Sequence, residues 1–141
     1  MTSWLAALVT WCSTLLGTGD ADPACLELGR LDARRAVAFV SGDPEPLRDV
    51  YATPTLREAD ASVLRGWSDR GLRLEGMAQQ RTSCHVVARS GRRVVLDVVD
   101  RLGPTRAVGP QQAYRLPSDQ PTRRRVLLTW TADGWRIAAT R

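Results

Sequence analysis

The chain changes its hydrophobic period about halfway along. Over residues 25–41, Leu26, Ala33, Ala36, Val37 and Val40 recur at helical spacing, with Arg30, Arg34 and Arg35 at the polar positions between them. This pattern predicts an amphipathic helix that stops at Gly42. Asp43-Pro44 restarts it, because Asp caps a helix N-terminus and Pro fits the first helical position. A short second helix is expected to run to about Tyr51, where Thr53-Pro54 breaks it. Thr55-Leu56-Arg57-Glu58 then matches a capping box. Leu56, Ala59, Val63 and Trp67 follow at spacings of three, four and four. They define a third helix with Gly71 as its left-handed stop.

From Leu72 the period becomes two. Leu72 and Leu74 alternate with Arg73 and Glu75, and residues 82–89 and 92–100 read as strands joined at Ser90-Gly91. Residues 106–114 are weaker and contain Pro110, which suits an edge strand, a bulged strand or a loop. Residues 117–122 read as a loop. Residues 126–130 and 135–139 form a last hairpin, whose Asp133-Gly134 supplies the positive torsions a tight turn needs. Three helices followed by antiparallel strands make an α+β domain, with the helices packed on one face of a sheet built from about residue 72 onward.

Length and composition confine this to one domain: 141 residues, 43% hydrophobic and 25% charged, with apolar material for one core without metal or disulfide staples. Residues 24–141 carry it. The uncharged run over residues 4–16 is short for a membrane span, which needs about twenty residues, and suits a signal-peptide apolar region. Ala21 follows at a plausible cleavage position, although no Arg or Lys precedes the run. Residues 1–23 are therefore a leader and linker of an exported or membrane-anchored protein, or a buried first helix of a cytoplasmic one. Of the three cysteines, cleavage would remove Cys12 and leave Cys25 and Cys84, which can bridge in an oxidising compartment.

The net charge of +5 is carried entirely by arginine, since the chain has no Lys. With abundant Ala, Gly and Val, this points to a GC-rich genome. The arginines are dispersed among Asp and Glu, unlike the concentrated basic face of a nucleic-acid binder, so no nucleic-acid partner is expected. No Cys/His spacing suggests metal. No glycine-rich phosphate loop is present, and no cofactor is expected.

Asp133-Gly134-Trp135-Arg136-Ile137-Ala138, closing a chain of three helices and several strands, resembles the end of nuclear transport factor 2-like domains. Leu31-Asp32-Ala33-Arg34-Arg35-Ala36 to Gly42-Asp43-Pro44 is similar to that family's first helix, and Leu47 to Tyr51 to its second. The likeness is to exported or membrane-anchored bacterial members and covers about residues 25–141. It implies a cystatin-like cone, in which helices cross a curved sheet around a pocket. The family includes isomerases, dehydratases, cyclases, secretion components and adaptors, so function must come from the site.

Asp97 is the general-base candidate, because a carboxylate on a buried strand face has a raised pKa unless paired. Its strand is apolar on both faces, so an Asp paired with a neighbouring Arg or facing water is the alternative. Tyr51 and Trp67, ending helical stripes, are candidates to line the pocket, with Tyr51 as a hydrogen-bond donor. His85, the one histidine, is a further catalytic candidate, but it alternates with Cys84 and Val86 and is expected at the surface or half-buried. Arg123-Arg124-Arg125, extended by Arg92-Arg93, is either a solvated strand edge or a patch for an anionic surface. Trp130 and Trp135 are expected to pair across the last hairpin. Val95 and Val99 on the second sheet face suggest a homodimer. The expected function is a non-catalytic extracytoplasmic binding domain for an envelope protein. The alternative is a small enzyme or binder for an apolar cyclic molecule, with Asp97 and Tyr51 converging in the pocket.

Overall fold

The computed structural model describes residues 21–141, so the apolar run and Cys12 lie outside the described residues. Helix α1 spans Pro23–Ser41. Asp22 caps it by accepting from the Ala24 amide, and Gly42 ends it at φ 73°. The expected second helix is a single 3-10 turn, Glu45–Asp49. Helix α2 spans Pro54–Asp69 and starts two residues earlier than the capping box suggested: Thr53, not Thr55, accepts from the Leu56 amide. Pro54 thus opens the helix, as a first-turn proline without an N–H can. The fold is α+β with two helices, and the expectation of three fails because the short segment from Gly42 to Pro54, which also carries Pro44 and Pro46, forms no more than the five-residue 3-10 turn.

The strands are β1 (Arg73–Glu75), β2 (Gln79–Ser90), β3 (Arg93–Leu102), β4 (Arg106–Val108), β5 (Ala113–Arg115), β6 (Thr122–Thr131) and β7 (Gly134–Thr140). They form two antiparallel sheets instead of one, ordered β2-β3-β6-β7 and β1-β4-β5. The weak segment around Pro110 is a short hairpin of β4 and β5, with the proline in the turn. The other edge of the large sheet, β7, is covered by the chain after the 3-10 turn. Ile137 N–H donates to Val50 O at 2.8 Å, and Ala52 N–H to Ile137 O at 2.8 Å.

Two apolar cores result. In one, Leu28 and Leu31 of α1 pack on Val94, Leu96, Val98, Val126 and Leu128 of the large sheet. In the other, Ala38 and Phe39 of α1 pack with Leu47, Leu64, Leu72 and Ala107. Tyr51 touches both. The buried stripe of α1 differs from the one the apolar spacing suggested: Leu26, Val37 and Val40 are exposed, whereas Ala24, Leu28, Leu31 and Ala38 are buried. In α2, Val63 is exposed and Ala61 and Leu64 are buried. In both helices the inward face carries charged residues, which hid it from a hydrophobic count.

Candidate functional site

Those inward charges meet at the seam between the two cores. On α1, Asp32 and Arg35 fall between Leu31 and Ala38. α2 brings Asp60, β2 brings Arg81, β3 brings Asp100 and β6 brings Arg124. Arg35 forks onto Asp60, with Nε–Oδ2 2.5 Å and Nη2–Oδ1 2.9 Å. The Tyr51 hydroxyl donates to the same Asp60 Oδ2 at 2.5 Å. Arg124 forks onto Asp100 at 2.8–3.2 Å. Arg81 donates to Asp32, and Arg124 lies 3.6 Å from the same carboxylate. A cavity of about 300 Å³ opens here, lined by Asp32, Arg35, Tyr51, Asp60, Arg124 and Ile137 among others.

Burial is tolerable for these ions because each carboxylate faces a guanidinium, and an unpaired one would cost several kcal/mol. Burial pushes the Asp32 carboxyl above its ordinary pKa, although Arg124 and Arg81 oppose the shift. Burial likewise raises the Tyr51 hydroxyl, and its bond to Asp60 adds to the effect. Burial works against the charge on Arg35, but Asp60 outweighs it and holds the guanidinium protonated. Among the described residues, the only buried side-chain nitrogen or oxygen without a hydrogen-bond partner is Arg81 Nε.

The three expected pocket residues do not come together. Tyr51 lines the cavity. Trp67 belongs to the second core and stacks under Arg70, whose guanidinium carbon is 5.1 Å from the ring centroid. Asp97 lies on the opposite face of the sheet, because Val94, Leu96, Val98 and Asp100 take the inward positions of β3. There Arg123 Nε approaches its two oxygens at 3.0 and 3.1 Å. These contacts hold the Asp97 carboxyl below its ordinary pKa, the reverse of what a base in an apolar pocket requires. His85 is exposed beside it, in register with Asp97.

The arginine run is divided by strand alternation. Arg124 points into the seam, Arg123 is engaged by Asp97, and only Arg125 of the three forms no ion pair among the described residues. The anionic-partner patch at Arg123, Arg124 and Arg125 is therefore not one surface. Cys25 of α1 and Cys84 of β2 are joined in a disulfide, with Cα atoms 6.1 Å apart. Trp130 and Trp135 pair edge-to-face, with centroids 5.5 Å apart. Among the described residues no three of His, Cys, Asp and Glu converge as a metal site would need, and no helix is long and apolar enough to cross a membrane.

The charged seam sits in a small helix-on-sheet domain, and solved structures share that architecture. The chain superposes on the intermembrane space region of the chloroplast protein ARC6 with a TM-score of 0.62 at 14% identity, covering 84% of this chain and 92% of that one. It also superposes on a protein of Exiguobacterium sibiricum described as a Ca/calmodulin-dependent kinase II association domain, with a TM-score of 0.50 at 12% identity, covering 85% and 92%. At these identities the likeness is one of fold. No family model matches the chain, and no curated protein matches it in sequence.

Of the seam residues, the sequence singled out Tyr51 and Arg124, the latter as part of a surface patch and not as a buried partner of Asp100; the others escaped it. Asp32, Arg35, Asp60, Arg81 and Asp100 are each unremarkable in a chain with 20 basic and 15 acidic residues. One signal was available: Asp32, Arg35 and Asp60 sit at the helical spacing of inward neighbours, the buried Leu28 and Leu31 in α1 and the half-buried Leu56 and buried Leu64 in α2.

Proposed function

We propose that this chain is a non-catalytic binding domain of the nuclear transport factor 2-like cone type, working outside the cytoplasm, whose partner is a protein of the cell envelope. The observation that carries the reading is the Asp60 carboxylate, which accepts from both Tyr51 and Arg35. The Tyr51 hydroxyl, which lines the cavity, already donates to a carboxylate, and a guanidinium fixes that carboxylate. An acid–base catalyst needs a group free to exchange a proton with substrate. Here Asp32, Asp60 and Asp100 all answer arginines, and Asp97 faces away. The neighbours in fold support the architecture only. The Cys25–Cys84 bridge supports export, since disulfides persist in oxidising compartments.

A photo-crosslinking scan of the surface in the native host tests the reading. A photoreactive residue is placed in turn on the helices, the sheet face and the loops. A discrete adduct with one protein from one face is the expected result. Turnover of any cyclic substrate that disappears in Tyr51→Phe, with no adduct from any face, would replace the adaptor with the enzyme.

A further inference from the structure

The sheet face turned away from the helices carries an ordered pattern. In register across the four strands, Ala88 of β2 opposes Val95 of β3, Val95 opposes Leu127 of β6, and Leu127 opposes Ala139 of β7. These four side chains form one apolar row at right angles to the strands. The neighbouring row on one side carries Arg125, which opposes Asp97. The row on the other side carries Arg93, which opposes Thr129. The apolar row is recessed in a groove of about 550 Å³ whose walls include Arg93, Arg125 and Arg141. Asp97 on this face is already taken by Arg123, and Arg89 on the rim by Asp22. Among the described residues, no carboxylate pairs with Arg93 or Arg125.

We infer that this groove docks an amphipathic helix of a partner protein, one with an apolar stripe flanked on both sides by Asp or Glu. Adjacent strands are spaced by ~4.8 Å, so a row across four of them is ~14 Å long. That length matches about ten residues of helix, or three turns. The stripe fills the row, and acids on its flanks reach Arg93 on one side and Arg125 on the other. Helix-in-groove recognition of this kind takes its affinity from the apolar anchors and its orientation from the flanking charge. Pairing of two copies through this face, which the valines of β3 suggest in isolation, would bring the arginine walls together. A lipid surface is flat and would leave the recessed row unfilled. The inference rests on the reading of the domain as a partner-binding module and names the surface and the chemistry of what it binds.

The experiment uses the purified domain and a synthetic helical peptide about ten residues long, with a leucine stripe and glutamates on both flanks. A lysine-for-glutamate peptide and vesicles of phosphatidylserine in phosphatidylcholine serve as comparisons. Methyl and amide NMR signals of Ala88, Val95, Leu127 and Ala139 are expected to shift saturably with the acidic peptide and not with the basic one. Binding should weaken about tenfold or more in the Arg93→Glu/Arg125→Glu variant, and also on raising the salt enough to screen exposed charges. Both arginines are exposed and unpaired, so the variant should keep the wild-type melting temperature. Lack of shifts in the groove at millimolar peptide overturns the inference, as do shifts centred on another face. Vesicle binding that the same double variant abolishes, without peptide binding, assigns the face to lipid and overturns it too. Sedimentation of a dimer whose interface protects Val95 does the same in favour of a second copy. Failure here combined with a protein adduct from the helical face would leave the adaptor reading standing. Loss of every adduct would remove that reading whatever the peptide does.

Discussion

Two aspartates on opposite sides of the same sheet respond to protons in opposite directions. Asp97 is held low by hydrogen bonds from Arg123. Its contribution to stability is therefore present above the ordinary carboxylate value of 3.8 and is lost as pH falls through the lower folded value. Asp32 is held high by burial, so its contribution is greatest at low pH and is lost as pH rises from 3.8 through the raised folded value. Titration of the carboxyl carbons by NMR should place the Asp97 midpoint below 3.8 and the Asp32 midpoint above it, and the opposite order would refute this assignment of environments. The sequence could not orient Asp97, because Val95 and Val99 make the outer face of β3 look as apolar as the inner one. It marked Tyr51 without its partners, since Asp60 and Arg35 meet it only through the packing of two helices. The arginine triplet reads as a single patch along the chain, yet a strand sends alternate side chains to opposite faces.

Among the elements, periodicity located the long ones and misjudged how two of them face. The last hairpin and the β2–β3 hairpin were legible from their turn residues, Asp133-Gly134 and Ser90-Gly91. The stops at Gly42 and Gly71 were equally plain, and both adopt positive φ. The alternation at Leu72 to Glu75 marked β1, but strands of three residues carry no sign of which strands they pair with, so the separate β1-β4-β5 sheet was not legible. The inward faces of α1 and α2 were misjudged because Asp32, Arg35 and Asp60 occupy positions that a hydrophobic pattern reserves for aliphatic side chains. Those ions cross-brace the elements. Asp100 is 3% exposed and bound by Arg124. Asp100→Asn should destabilise the domain by about 3–5 kcal/mol in urea unfolding, since it leaves buried guanidinium charge uncompensated. Asp100→Leu/Arg124→Leu, which removes both charges, should cost less than the single change. A double variant at least as damaged as the single one would mean that the pair contributes more than charge neutralisation.

For the molecule as a whole, the disulfide joins the first helix to the first long strand across 59 residues. A bridge over that span restricts the unfolded chain by about 4 kcal/mol in the chain-entropy account. Cys25→Ser/Cys84→Ser should lose stability of that order in denaturant melts, and adding reductant to the variant should then change nothing further. The α+β class was legible at this scale, because the helix-then-strand order speaks to it. The division into two cores was not, because it depends on where charged side chains interrupt the packing. The margins of the large sheet carry a last implication. The chain around Val50 and Ala52 closes β7, while β2 has register breaks between Arg81 and Ser83 and between Val86 and Ala88. Bulged or covered margins give an incoming chain no straight template to extend. Growth by adding strands, the route to fibrils, is thereby shut at both ends of this sheet, and whatever joins the protein here must lie across the ladder instead of lengthening it.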